Sequence, residues 1–158
     1  MERAAGEYEI PRMKTIGVIG GLGPQATMDF EEQIHQASQE MIPQYVNRGY
    51  PPMIVHYFRH APMILNEDGS PQIPLKPDLR LLGAARQLGT NVDFLVITSN
   101  TPHFFQKQLE EVSGRKMLSI VDVALDEVKR RNLKKVGVLA VGVTLEHKLY
   151  QYSTSEVK

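Results

Sequence analysis

Short apolar runs alternate with stretches of helical periodicity along most of the chain. Runs typical of buried strands lie at residues 15–20, 53–58, 94–97 and 135–141, with a shorter one at 117–118. After the first run, Pro24 suits the first turn of a helix, and apolar residues continue at helical spacing to Met41. Strands that alternate with helices predict an α/β fold, in which a parallel sheet is covered by helices on both faces as three layers.

Local signals place the remaining helices. Asp78 is suited to cap a helix that ends at Gly89, and Gly114 is suited to close a helix that begins near His103. A further helix is predicted over residues 121–131, and one more from Thr144 to Tyr152. Residues 1–13 show no periodicity and are predicted to form a flexible N-terminus.

Composition narrows the class of protein. The 158 residues suffice for one domain of ordinary size, and 18 Lys and Arg balance 18 Asp and Glu, which disfavours a nucleic-acid binder. The chain has no cysteine, which excludes disulfides, thiolate metal sites and cysteine nucleophiles. No apolar run approaches the roughly 20 residues of a membrane helix, and the N-terminus is unlike a signal peptide, so we expect a cytoplasmic protein.

Candidate chemistry is expected where the strands end, because open α/β sheets bind ligands beyond the carboxyl ends of their strands. In this chain the loops predicted at that edge are residues 20–24, 59–76, 99–102 and 141–144.

The first of these loops is rich in glycine. Residues 21–26 match the pattern G-x-G-x-x-A between a strand and a helix, and Gly21 and Gly23 allow the backbone to approach an anion. A dinucleotide site would also need an acidic residue at the end of the next strand, where this chain has Arg59. Three interpretations stay open: a turn that binds a small anion, a purely structural turn, and an NADP site in which Arg59 accepts the 2′-phosphate.

Small polar residues fill the loop at 99–102. Ser99, Asn100 and Thr101 are able to hold a carboxylate together with the amides of the following helix, or Asn100 or Thr101 merely caps that helix. Ser99 lies four residues before His103, but there is no nucleophile elbow, and a histidine in a first helical turn is more often a surface residue. A serine hydrolase is therefore disfavoured.

The long loop contributes the other polar candidates. A lid closing over an anion would use Arg59 or His60, and the alternative is that both are simply solvated. No pair of histidines has the spacing of metal ligands, so we predict no metal. No lysine lies in a pattern typical of pyridoxal phosphate enzymes, and no cofactor is expected.

Three motifs in order resemble the aspartate/glutamate racemase family, which includes hydantoin racemases. Residues 20–27 are similar to its Gly-Gly-Met-Gly-Pro-x-Ala-Thr turn, with Leu22 in place of Met, and residues 98–103 to its Cys-Asn-Thr-Ala-His segment. Residues 136–144, followed by Tyr150, resemble the segment that opens the family's second lobe. The resemblance extends from about Lys14 to Tyr150.

The resemblance implies a cofactor-independent shuffle of an α-proton on an amino acid held between two similar α/β lobes. It divides this chain into a first lobe at 14–115 and the beginning of an incomplete second lobe at 116–158. Asn100, Thr101 and Thr144 would bind substrate carboxylates, and Gly21 and Gly23 would shape the floor of the pocket. Family members often form dimers, so a homodimer is a mild expectation.

The family's two cysteines are the point of departure. Ser99 stands at the first cysteine position, and an alcohol is a far weaker acid than a thiol of pKa about 8.5. The segment expected to hold the second cysteine lies beyond residue 158. We therefore predict an acidic amino-acid racemase relative with little or no activity of its own. The alternatives are a non-catalytic carboxylate-binding protein, and a decarboxylase or isomerase branch whose base belongs to a missing C-terminal half.

Overall fold

A computed structural model describes residues 12–42 and 49–151, and its order of elements is that of an α/β protein. The strands are β1 (Ile16–Gly20), β2 (Met53–Tyr57), β3 (Phe94–Ile97) and β4 (Met117–Leu118). The helices are α1 (Pro24–Met41), α2 (Leu79–Gly89), α3 (Gln106–Ser113), α4 (Ile120–Arg130) and α5 (Gly142–Glu146), with a 3₁₀ segment at Thr101–Phe105. Expectations for residues 1–11, for Tyr152 and for the residues after it lie outside the described part of the chain.

The strands form one parallel sheet in the order β2-β1-β3-β4. The central strand β1 pairs with β2 on one side and with β3 on the other, and all five of its residues are buried. This confirms the α/β fold predicted from the alternating pattern.

Helices cover both faces of the sheet. Alternate residues of β1 point in opposite directions, so that Val18 packs with Phe30 and Ile34 of α1, whereas Ile19 packs on the other face. The core on that second face is the larger. It contains Leu81 and Leu88 of α2, Leu95 and Ile97 of β3, and Phe105 and Leu109 before and within α3.

Helix ends follow the local signals. The side chain of Asp78 accepts a hydrogen bond from the Arg80 amide at 2.8 Å and caps α2. Ser119 caps α4 in the same way through the Asp122 amide. Gly114 ends α3 in the left-handed conformation at φ 67°.

The prediction of a strand at residues 135–141 is wrong. The structure leaves this stretch without helix or strand between α4 and α5, with no strand partner in the described part of the chain, and Leu139 is fully exposed. An apolar run forms a strand only where another strand pairs with its backbone and other elements cover its faces. The boundary between lobes placed at 115/116 stays a prediction.

The long loop at 59–76 contains no helix or strand. It is organised by isolated bridges, Met63 with Pro77 and Leu65 with Pro71, and by a turn in which Asp68 accepts from the Ser70 amide and hydroxyl. None of the described helices is both long enough and apolar enough to cross a membrane.

Candidate functional site

The glycine loop (residues 20–24) and the serine loop (residues 99–102) lie next to each other, because they follow β1 and β3, which are neighbours in the sheet. The Thr98 amide donates to the Ile19 carbonyl, so the residues that follow each strand leave the sheet side by side. One buried threonine joins them further: Thr27 Oγ1 lies 2.8 Å from Thr98 Oγ1 and accepts from the Gly21 amide at 2.9 Å. Thr27 is fully buried at the start of α1, so it is a structural support for both loops.

Gly21 is fixed by its backbone conformation and by hydrogen bonds of both its amide and its carbonyl. Its φ is 83°, and a Cβ there would lie 3.0 Å from the Phe58 amide nitrogen, so only glycine is free of strain at this position. Its amide is engaged by Thr27, and its carbonyl accepts from Arg59 Nη1 at 3.1 Å. Because that amide is already engaged, it is not available to the pyrophosphate that the dinucleotide interpretation requires.

Gly23 lies at the start of α1, which no side chain caps. Its carbonyl accepts from the Thr27 amide and from Thr27 Oγ1. Thr27 was not among the predicted site residues, although the glycine motif at residues 20–27 includes it.

Two pairs of polar side chains connect the loop after β3 to the end of the described chain. Thr101 Oγ1 lies 3.4 Å from Thr144 Oγ1 of α5, and Thr144 is buried. The Tyr150 hydroxyl donates a short hydrogen bond to Asn100 Oδ1. Two side-chain contacts therefore link Asn100 and Thr101 to residues 144–150, although 43 positions separate the two threonines in the chain. We refer to Asn100, Thr101 and Thr144 as the Asn100 cluster.

Tyr150 orients the amide of Asn100. Because the hydroxyl donates to Oδ1, the amide nitrogen is turned away from Tyr150, and it has no partner among the described residues. Asn100 does not cap the following helical turn, since no side chain makes that cap hydrogen bond. Partial burial raises the pKa of Tyr150 above its ordinary value, which keeps the hydroxyl protonated as a donor.

His103 is buried, with 6% of its surface exposed, which corrects the expectation of a surface residue. Its Nδ1 lies 2.9 Å from the Ser99 carbonyl and 3.1 Å from the Asn100 carbonyl. Its Nε2 accepts from the Ile120 amide at 3.2 Å. Since carbonyls only accept, Nδ1 carries the proton and the imidazole is neutral.

The Ser99–His103 pair of a serine hydrolase is therefore not formed. Both imidazole nitrogens are engaged by backbone groups, and the Ser99 hydroxyl makes no hydrogen bond within the described residues. Burial lowers the pKa of His103, while the two carbonyl partners and Asp122 oppose that shift. His103 thus connects the serine loop to the start of α4 through hydrogen bonds of its two ring nitrogens.

Arg59 and His60 lie on a separate, open hollow of about 480 Å³. None of the residues from 98 to 103 lines it. Arg59 is exposed and lies over the Tyr57 ring at 5.3 Å, while His60 Nδ1 accepts from Arg80 at 3.0 Å. Arg59 reaches the glycine loop through the Gly21 carbonyl, but the structure does not bring His60 to the Asn100 cluster.

The described residues contain no group of three or more histidines and carboxylates that could hold a metal ion. The site has three neutral hydrogen-bond donors: the hydroxyls of Thr101 and Thr144 and the amide nitrogen of Asn100. Neutral donors of this kind suit a carboxylate oxygen.

The family model for Asp/Glu/hydantoin racemases matches residues 19–155, and the chain belongs to this family. The chain is 25% identical over 141 residues to the broad-specificity amino-acid racemase RacX of Bacillus subtilis, covering 86% of this chain and 58% of that protein.

Solved structures agree with this assignment. The fold is similar to that of an aspartate racemase homologue from Pyrococcus horikoshii OT3, with a TM-score of 0.69 and 25% identity over 91% of this chain and 61% of that one. It is also similar to the aspartate racemase of Picrophilus torridus, with a TM-score of 0.69 and 20% identity over 89% of this chain and 58% of that one. The chain thus spans about three fifths of the length of these proteins. The resemblance drawn from the three motifs is confirmed.

Proposed function

We propose that this chain binds the carboxylate of a small, acidic amino acid at the Asn100 cluster, as part of a cofactor-independent racemase architecture, and that by itself it turns over little or no substrate. The observation that carries the proposal is the pair of contacts that join Thr101 to Thr144 and Asn100 to Tyr150 at the end of β3. The racemase family to which the chain belongs supports an amino-acid ligand.

The geometry favours a bidentate arrangement. The hydroxyl oxygens of Thr101 and Thr144 are 3.4 Å apart, within hydrogen-bond distance of each other, and a ligand carboxylate that displaces this contact would accept from both. The Asn100 amide nitrogen, turned outward by Tyr150, supplies a third donor. The glycine loop at Gly21 and Gly23 would border the ligand, and Arg59 and His60 would contribute only if the long loop moved.

Removal of an α-proton needs a base, and the site is poor in bases. Ser99 is an alcohol of high pKa, and both nitrogens of His103 are engaged. The chain contains no cysteine. We therefore expect ligand binding without exchange of the α-proton.

The first test combines binding with exchange. L-aspartate and L-glutamate are titrated by calorimetry, and their α-protons are followed by NMR in deuterated water. We expect measurable binding and exchange no faster than in buffer. Exchange clearly above buffer would contradict the predicted inactivity, and absence of binding to either amino acid would contradict the site.

Asn100→Asp sharpens the binding test, since it replaces a donor by a charge that repels the ligand carboxylate. We expect affinity to fall about tenfold or more, in keeping with the strength of hydrogen bonds to charged groups. Asn91→Asp is the matched control: Asn91 is exposed and bonds only its neighbour Thr90 through its side chain. Equal losses in the two variants would remove the Asn100 cluster from the proposal.

Ser99→Cys tests the role of position 99. A thiolate there would take the α-proton, and because its proton exchanges with solvent, the same sulfur would return a deuteron to the same face. We expect slow deuterium incorporation with retained configuration. A variant that binds aspartate but exchanges nothing would contradict the placement of position 99 beside the α-carbon.

A further inference from the structure

The hollow at the end of β2, which we call the arginine hollow, is separate from the Asn100 cluster. It is lined by residues 56–60, which end and follow β2, and by Arg80, Gly83, Ala84 and Gln87 of α2. Its volume of about 480 Å³ lies within the range of roughly 300–1,000 Å³ that is usual for small-molecule sites. Because it lies at the carboxyl end of a strand, where α/β sheets bind their ligands, its size and position suit a small metabolite.

The lining of the arginine hollow is positively charged. Within the described part of the chain it includes two arginines and no acidic residue. The charge of Arg80 is balanced from outside the lining by Asp78, whose two oxygens accept from Nε at 2.9 Å and from Nη2 at 2.7 Å. Arg59 has no such counterpart, since none of the ion pairs between described residues includes it. The unbalanced charge of Arg59 favours an anionic ligand.

Arg59 retains a pair of available donors. Its Nη1 donates to the Gly21 carbonyl at 3.1 Å, but neither Nε nor Nη2 makes a hydrogen bond to any described residue. These two N–H groups lie side by side in the guanidinium plane, and such a pair binds two oxygens of one phosphate or carboxylate group. Arg80 uses the same two nitrogens to bind Asp78.

His60 supplies a third donor to the arginine hollow. Its Nδ1 lies 3.0 Å from Arg80 Nη1, and because a guanidinium only donates, Nδ1 is the acceptor. In the neutral ring Nε2 therefore carries the proton, and it donates to none of the described residues. The ring is also held by an edge contact with Phe58, at 5.5 Å between centroids. Arg59 and His60 thus line the hollow with three donors that no described residue uses.

We infer that the arginine hollow binds the phosphate group of a small phosphorylated molecule, with Arg59 Nε, Arg59 Nη2 and His60 Nε2 as its donors. A phosphate group carries nearly two negative charges and three strong acceptor oxygens, so it matches three donors and an unbalanced cation better than a carboxylate does. The rest of the ligand would extend along α2 past Gly83, where a Cβ would meet nothing within 4 Å.

Three anions separate the possible ligands: inorganic phosphate, phenyl phosphate, and benzoate, which has the same ring on a carboxylate. Calorimetric titrations at constant ionic strength give the three affinities. We expect phenyl phosphate to bind about tenfold more tightly than either of the others, because it alone combines the phosphate group with a ring that buries apolar surface. Absence of phenyl phosphate binding, or equally tight binding of benzoate or of inorganic phosphate, would overturn the proposal.

Variants test the residues. Arg59→Met keeps an unbranched side chain without donors and should weaken phenyl phosphate binding at least about tenfold. Arg86→Met is the matched control, since Arg86 is exposed on α2 outside the hollow, and this variant should bind as the parent does. Gly83→Leu should weaken binding of phenyl phosphate more than that of inorganic phosphate, because its side chain takes the space of the ring. Equal losses in Arg59→Met and Arg86→Met would show that net charge alone matters and would overturn the proposal.

Competition separates the arginine hollow from the amino-acid site proposed above. L-aspartate should not displace phenyl phosphate, and Asn100→Asp should retain the parent's affinity for phenyl phosphate. If the chain binds phenyl phosphate but no aspartate, the arginine hollow is supported and the Asn100 cluster is not. Displacement of phenyl phosphate by L-aspartate would assign Arg59 and His60 to the amino-acid site and would overturn the proposal.

Discussion

Apolar runs occur both in residues 49–130 and in residues 131–151. Only the runs of the first region form strands. The run Phe94–Ile97 is paired on both sides by β1 and β4 and is covered by α2 and α3. The run at 135–141, which is mostly apolar but contains Lys135 and Gly137, forms no strand and stays exposed. The difference shows that a strand of a parallel sheet forms only where neighbouring strands and helices are present. The sequence of the strand itself does not reveal those neighbours.

The largest contrast is expected from cutting one leucine in each region. Leu95→Ala removes a fully buried side chain between α2 and the sheet and should lower the free energy of unfolding by about 2–5 kcal/mol. Leu139→Ala removes a fully exposed one and should change it by less than about 0.5 kcal/mol. Urea unfolding of both variants measures the difference, and similar losses would show that residues 135–141 are packed in solution.

Two glycines of α2 give the next contrast, this time inside the well-packed region. A Cβ at Gly89 would lie 2.2 Å from the Ser113 carbonyl oxygen, so Gly89→Ala should cost about 1–3 kcal/mol as the helices move apart. At Gly83 nothing lies within 4 Å, and Gly83→Ala should stabilise the helix by about 0.5–1 kcal/mol. The thermal midpoint is the measurement; a stable Gly89→Ala protein would contradict the close packing of α2 on α3.

Most of the sheet and the helices that cover it could be predicted from the sequence, because the signals for these elements are local. Pro24, Asp78 and Gly114 fix helix ends by backbone chemistry that depends on few neighbours. The candidate site was harder, since the contact of Tyr150 with Asn100 joins positions 50 apart and no spacing rule predicts it. Thr144 was identified only by resemblance to a family. The burial of His103 was missed because its partners are backbone groups, which have no signature in a sequence.

His103 predicts how stability depends on pH. Its pKa in the folded chain lies below the ordinary value of 6.5, because burial disfavours the imidazolium. The unfolded chain therefore binds a proton more readily, and the contribution of His103 to stability is complete above pH 6.5 and is lost as the pH falls toward its folded pKa.

Urea midpoints measured between pH 7.5 and 5 should fall, and His103→Gln should flatten that fall. His60→Gln, which changes an exposed histidine, is the control and should retain the parent's slope. An unchanged slope in His103→Gln would show that another group governs the acid sensitivity.

The smallest expected effect lies at the junction of the two regions. Tyr150→Phe removes only the hydroxyl that orients Asn100 and should lower the free energy of unfolding by about 0.5–1.5 kcal/mol. We expect a larger relative effect on aspartate affinity, because the Asn100 amide is then free to rotate. Affinity unchanged beside a measurable loss of stability would mean that Tyr150 supports the fold alone.

Three successive residues at the end of β3 are bound to three different parts of the chain. Thr98 is bound to Thr27 of α1, the Ser99 carbonyl to His103 and through it to α4, and the Asn100 side chain to Tyr150 beyond α5. Among the side chains of these three residues, that of Ser99 alone has no described partner. Mutational tolerance at this tip should thus be confined to one position, where an alcohol and a thiol are interchangeable without loosening the scaffold, so reactivity can be altered there independently of folding.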